Sequence, residues 1–129
     1  MVVDMEANID LALRYHDAVG KGAVGDELAA FFTPDVTHRE LPNLLFPDGM
    51  TRDLEGLLAA AEAGQAKLVS QDYAVKNVVA VADTVALEIA WTGVLATGQT
   101  VKAHIATFLD FRDGKICGQR NYDCYEPLS

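Results

Sequence analysis

The hydrophobic pattern of this chain changes period once, close to Val69. Before that point apolar residues recur every three or four positions. After it they alternate with polar ones. A spacing near 3.6 lays a stripe along one side of a helix, and a spacing of two lays a face on a strand. A chain that is helical first and stranded second folds as α+β, with its helices gathered on one face of a sheet.

Residues 4–19 carry Met5, Ile9, Ala12, His16 and Val19 at helical spacing, with Leu11 and Tyr15 widening the stripe. The glycines of "GKGAVG" end this helix. "DELAAFF" predicts a short second helix, with Asp26 as its N-cap and Pro34 stopping it. "DVTHREL" alternates and predicts a strand over 35–41, followed by a loop through "PNLLFPDGMT". Thr51 is placed to cap a third helix, "DLEGLLAAAEAGQAKL", which buries Leu54, Leu57, Leu58, Ala61 and Leu68. Four β runs follow: "SQDYAVKNVVAVAD", "TVALEIAWTGVLA", "TVKAHIATFLDF" and "KICGQRNYDCYE". Thr97-Gly98 and Asp113-Gly114 mark tight turns between them. Long strands joined by tight turns make an antiparallel meander.

The 129 residues suit a single domain over 1–129, and a hydrophobic content of 50% is enough to fill its core. The net charge of −9 argues against nucleic acid and against anionic membrane surfaces as partners. No apolar run reaches the roughly 20 residues of a membrane helix. "MVVDMEANID" lacks the basic and apolar regions of a signal peptide, so a cytoplasmic location is expected. Cys117 and Cys124, seven apart, would face opposite sides of a regular strand, and are expected as buried, unbridged thiols. His16, His38 and His104 lack close ligand spacing, so no metal is expected, and no cofactor is.

The order of elements, with "LALRYHDAV" on the first helix, "AAFFTPDVTHREL" entering the first strand and "FLDFRDGKI" at the last hairpin, resembles the nuclear transport factor 2-like superfamily. Within it the chain is most similar to the SnoaL-like group, which includes polyketide cyclases. The resemblance implies a cone-shaped, cystatin-like α+β barrel, with three N-terminal helices packed on a curved antiparallel sheet. It also implies chemistry inside the cone. The superfamily hosts isomerases, cyclases, hydrolases and non-catalytic modules, so fold alone does not decide the activity.

Matched to the ketosteroid isomerase pattern of the fold, Tyr15 stands where a phenol polarises a substrate oxygen, and Glu40 where a carboxylate moves the proton. Ala106 falls where a second acid is expected, with His104 two residues before it as a substitute. Matched to the epoxide hydrolase pattern, the corresponding positions read Glu88, Ala90 and Asn121, which removes the water-activating base. His38 shares the face of Glu40, and Asp123 shares the face of Asn121. Trp91 and Phe108 are expected to wall the pocket together with Ala106 and Asn121. The catalytic candidates are therefore Tyr15, Glu40, His38, His104 and Asp123. Two functions stay open. One is cofactor-independent proton transfer on a small, largely apolar molecule; the other is a non-catalytic binding or dimerisation module. The open outer face of the sheet suggests a homodimer packed sheet on sheet.

Overall fold

In a computed structural model the structure describes residues 4–128, so the start of the N-terminal stretch read above and Ser129 lie outside it. Three helices, α1 (Met5–Gly20), α2 (Gly25–Ala29) and α3 (Leu54–Ala66), cover one face of a six-stranded sheet. The strands are β1 (Phe32–Glu40), β2 (Met50–Arg52), β3 (Leu68–Val81), β4 (Thr84–Leu95), β5 (Thr100–Arg112) and β6 (Lys115–Tyr125), in the order β2-β1-β6-β5-β4-β3. β3 to β6 form the expected antiparallel meander. The sheet as a whole is mixed rather than antiparallel, because β1 joins β6 in parallel.

Local chemistry explains most boundaries. Asp4 caps α1 by accepting from the Ala7 amide at 3.0 Å. Asp53, not Thr51, caps α3, accepting from the Gly56 amide at 2.8 Å. Thr51 lies in β2, a three-residue strand that the loop reading missed. Val24 precedes α2 with no side-chain cap, so Asp26 contributes only through its charge in the first turn. Pro34 lies within β1 rather than ahead of it. It occupies the irregular stretch between the pairs Phe32–Ile116 and Thr37–Gly118, where the ladder does not need its missing N–H. Asp113 and Gly114 turn β5 into β6 with φ of 54° and 76°, the pair of positive values a type I′ turn requires.

The core lies between helices and sheet. α1 packs on β3 and β4, and α3 packs on β1. Ala12, Leu28, Phe32 and Leu57 meet Val85, Leu87, Ile89, Leu109 and Ile116 there. Met5, placed in the α1 stripe by its spacing, is exposed, while Asn8 is buried. The thiols also depart from expectation: Cys117 is half-buried and Cys124 exposed, and both are free. Cys117 is the extra residue of a bulge between the pairs Asp110–Gly118 and Phe111–Ile116, which breaks strict alternation along β6.

Leu109 is 0% exposed and Val81 76%. Leu109→Ala should therefore lower unfolding free energy by about 2–5 kcal/mol. Val81→Ala should change it by less than about 0.5 kcal/mol. Urea denaturation followed by circular dichroism measures both.

Candidate functional site

Register across the sheet stacks the inward residues in rows. One row runs Tyr73, Trp91, Ala103, Tyr125, and the next Val75, Ile89, Ile105, Asp123. A third runs Val78, Leu87, Thr107, Asn121, Glu40, and a fourth Ala80, Val85, Leu109, Gln119, His38, Arg52. Between these rows and the helices opens a cavity of about 490 Å³. Its wall includes Tyr15 of α1, Phe46 of the β1–β2 loop, Leu57 and Gln65 of α3, and the polar ends of the four rows.

Six of the sequence candidates meet in this wall: Tyr15, His38, Glu40, Trp91, Asn121 and Asp123. The other three do not. Ala103, Ile105, Thr107 and Leu109 are the buried or half-buried inward positions of β5, so His104, Ala106 and Phe108 point to the outer face. His104 is exposed there and bonds Glu126 at 2.9 Å. Phe108 stacks edge-on with Tyr122 at 5.8 Å. Glu88 and Ala90 of β4 face outward with them. Successive residues of a strand face opposite sides, so these positions of the resemblance lie outside the cone.

The cavity polar groups fall into two sets. One is closed. The Tyr15 hydroxyl donates to Gln119 Oε1 at 2.9 Å, Gln119 Nε2 donates to Asn121 Oδ1 at 3.1 Å, and Thr107 Oγ1 donates to the same oxygen at 3.0 Å. Burial pushes the Tyr15 phenol up to about 12, against a smaller opposing pull from Gln119. In the other set, Arg52 Nη1 holds Glu40 Oε2 at 3.2 Å, and its guanidinium lies 5.2 Å from the centre of the Phe46 ring. His38 Nδ1 and Asp123 Oδ1 are buried without a hydrogen-bond partner among the described residues. Burial, with the Arg52 charge behind it, lowers His38 to about 4. Burial, with the Glu40 charge behind it, raises Asp123 to about 6. Tyr73 and Tyr125 are also raised, first by burial and then in part by the charges of Asp123 and Glu40.

Trp91 is fixed from two sides. Its indole Nε1 donates to Gln71 Oε1 at 3.1 Å, and Gln71 in turn donates to Gln65 Oε1 at 2.8 Å and to the Val19 carbonyl at 3.1 Å. The ring lies over Gly93, where an added Cβ would sit 2.4 Å from an indole carbon. Arg52, Tyr73, Gln71, Gln119 and Tyr125 are cavity residues that the sequence reading did not select. Tyr125 had a usable signal, since it shares the parity of Asn121 and Asp123.

Helices closing a curved sheet around a polar-ended cavity define an α+β cone of the nuclear transport factor 2-like kind. Residues 12–119 match the SnoaL-like domain model, and the chain belongs to that family. AclR, a candidate hydroxylase from Streptomyces galilaeus, superposes with a TM-score of 0.77 at 22% identity over 94% of this chain and 91% of its own. IdmH, a candidate polyketide cyclase from Streptomyces antibioticus, gives 0.74 at 22% identity over 90% and 91%. An NTF2-like protein from Anabaena variabilis ATCC 29413 gives 0.77 at 19% identity over 100% and 98%. At these identities the likeness is one of fold. No curated protein matches the sequence.

Asp123 ties the site to stability. Its pKa is raised from 3.8 to about 6, so the native state holds the proton more tightly than the unfolded chain. Ionised Asp123 therefore costs stability above about pH 6, and the cost fades as pH falls toward 3.8. Asp123→Asn should raise unfolding free energy by about 1–2 kcal/mol at pH 8, after discounting for partial exposure. The gain should shrink toward pH 4. His38 has the opposite sign: its lowered pKa makes the native state lose stability as pH drops from 6.5 toward 4. The comparison is therefore variant against parent at each pH, by urea denaturation.

Proposed function

We propose that the cavity takes up a small, largely apolar molecule and exchanges a proton with it at Asp123, without a cofactor, in chemistry of isomerase, cyclase or dehydratase type. The observation that carries this reading is the position of Asp123. Its Oδ1 is buried without a partner in the cavity wall, and its pKa of about 6 suits a base near neutral pH. Glu40, held by Arg52, acts as the neighbouring charge that keeps Asp123 basic rather than as the base itself. Tyr15 is committed to Gln119 and serves to position it. Tyr73 and Tyr125 are the wall phenols that lack such a commitment, and they supply the hydrogen bond to a developing oxyanion. The candidate cyclase among the structural neighbours supports a small-molecule setting, though at the level of fold.

Exchange of the α-protons of 2-tetralone in D₂O, followed by NMR, tests the reading. The protein should accelerate exchange, with kcat/KM rising through about pH 6 as Asp123 ionises. Asp123→Asn should lower it by roughly 10²–10⁴-fold, the range for loss of a general base. Tyr15→Phe should leave most of it. Exchange no faster than in buffer, or unchanged in Asp123→Asn, favours a non-catalytic binding module instead.

We further infer a homodimer through the outer face of the sheet. Phe108 and Tyr122 pack together there, Arg120 lies 5.7 Å from the centre of the Phe108 ring and bonds Asp110 at 2.6 Å, and Tyr122 is 44% exposed. A surface with aromatic rings and both charges suits pairing with its own copy. Tyr122→Glu should shift the protein from dimer to monomer in sedimentation velocity; a parent protein already monomeric at tens of micromolar refutes the dimer.

A further inference from the structure

The first inward row sets three aromatic residues around one small one. Tyr73 pairs with Trp91, Trp91 with Ala103, and Ala103 with Tyr125. Neighbouring strands lie roughly 4.8 Å apart, so this aromatic strip is about 14 Å across. The Tyr73 and Trp91 rings stand 6.4 Å apart and are tilted by 58°, and both line the cavity. Asp123 lies in the adjoining row, two residues before Tyr125 on the same strand and face.

Charge in the wall is unevenly matched. Arg52 holds Glu40, whereas Asp123 has neither a hydrogen bond nor an ion pair among the described residues. Lys67 is exposed at the cavity edge. A neutral hydrocarbon in the cavity would leave the Asp123 carboxylate without a partner, and an anion would be repelled by it. A protonated amine answers both features. Its N–H satisfies the carboxylate, and its alkyl groups lie on ring faces that carry the negative end of the aromatic quadrupole.

We propose that the ligand is an amine, bound as its ammonium form with an N–H on Asp123 and its alkyl groups against Tyr73, Trp91 and Tyr125. This rests on the reading that the cavity takes a small molecule, and it adds the group that molecule carries. A cation at this point favours the ionised form of Asp123, offsetting the push from burial and Glu40. Burial lowers His16 and His38 and raises Tyr15, Tyr73 and Tyr125, so these five wall groups are neutral near pH 7. Glu40 is paired with Arg52, so the response to pH near 6 is assigned to Asp123.

The test uses N,N-dimethylbenzylamine, which is protonated at pH 8 or below, and isobutylbenzene, its uncharged isostere. Trp91 is the one tryptophan of the chain, so its fluorescence reports occupancy of this wall. At pH 8 the amine should bind roughly tenfold more tightly than the hydrocarbon, the scale of a partly desolvated cation on aromatic rings beside a carboxylate. Its affinity should fall as pH drops from 8 through 6 to 5, while that of isobutylbenzene stays level. Asp123→Asn should remove the preference and leave isobutylbenzene binding in place. If the hydrocarbon binds and the amine does not, or binds no better, the amine proposal is overturned while the small-molecule reading stands. If the preference survives in Asp123→Asn, or is level with pH in the parent, the role of Asp123 is overturned. If neither probe binds, both the proposal and the small-molecule reading fall.

Discussion

The parallel ladder between β1 and β6 is the join on which the cavity depends. It sets His38 beside Gln119 and Glu40 beside Asn121, and the Leu41 amide extends it by bonding the Asn121 carbonyl at 3.0 Å. Without it the meander would be an open sheet with one end of its inner face unwalled. β2 then pairs with β1 and brings Arg52 opposite His38. Thus residues from positions 15, 38, 40, 52, 73 and 123 share one cavity although no two neighbouring elements hold them all. Parallel pairing needs a long connection. Here α3 and the whole meander supply it, which is why the site forms only when the chain has closed.

Energetically the wall divides into satisfied and unsatisfied groups. The Tyr15–Gln119–Asn121–Thr107 network pairs the Tyr15, Gln119 and Thr107 donors internally and fixes these side chains. The Gln71–Gln65–Val19 links do the same around Trp91, and Gly93 leaves the indole room to lie flat. These contacts join α1, α3, β3 and β4 at one corner. The aromatic wall is therefore held rigidly, and His38 and Asp123, each with a buried polar atom that has no partner among the described residues, line a preformed space.

The parts of this structure that were legible in the sequence are those where alternation is clean. The period change near Val69 and the Asp113-Gly114 turn located the meander, and the parity of β6 put Asn121 and Asp123 on one face, which lines the cavity. Legibility failed where alternation is weak or interrupted. "KAHIATF" in β5 is apolar or small on both faces, so nothing marked Ile105 and Thr107 as inward over His104 and Ala106. β2 is three residues long, too short for a period, and Arg52 went unseen with it. Tyr73 lies just before a register shift between Val75 and Asn77, and Cys117 forms one. Partner strands decide orientation at such bulges, and one strand read alone cannot supply them.

Two carboxylates a row apart receive different treatment, and the difference bears on what the cavity is for. Glu40 has a guanidinium at 3.2 Å, supplied by a strand whose three residues do little else for the fold. Asp123, one row away, has no such partner among the described residues. A core selected for stability alone would carry an apolar residue at 123, as Ile105 and Ile89 do beside it in the same row. Pairing Glu40 keeps a fixed negative charge near Asp123, and that charge adds to burial in raising the acid. The unpaired carboxylate is thus a maintained cost of the fold, placed where a bound molecule rather than a side chain can relieve it.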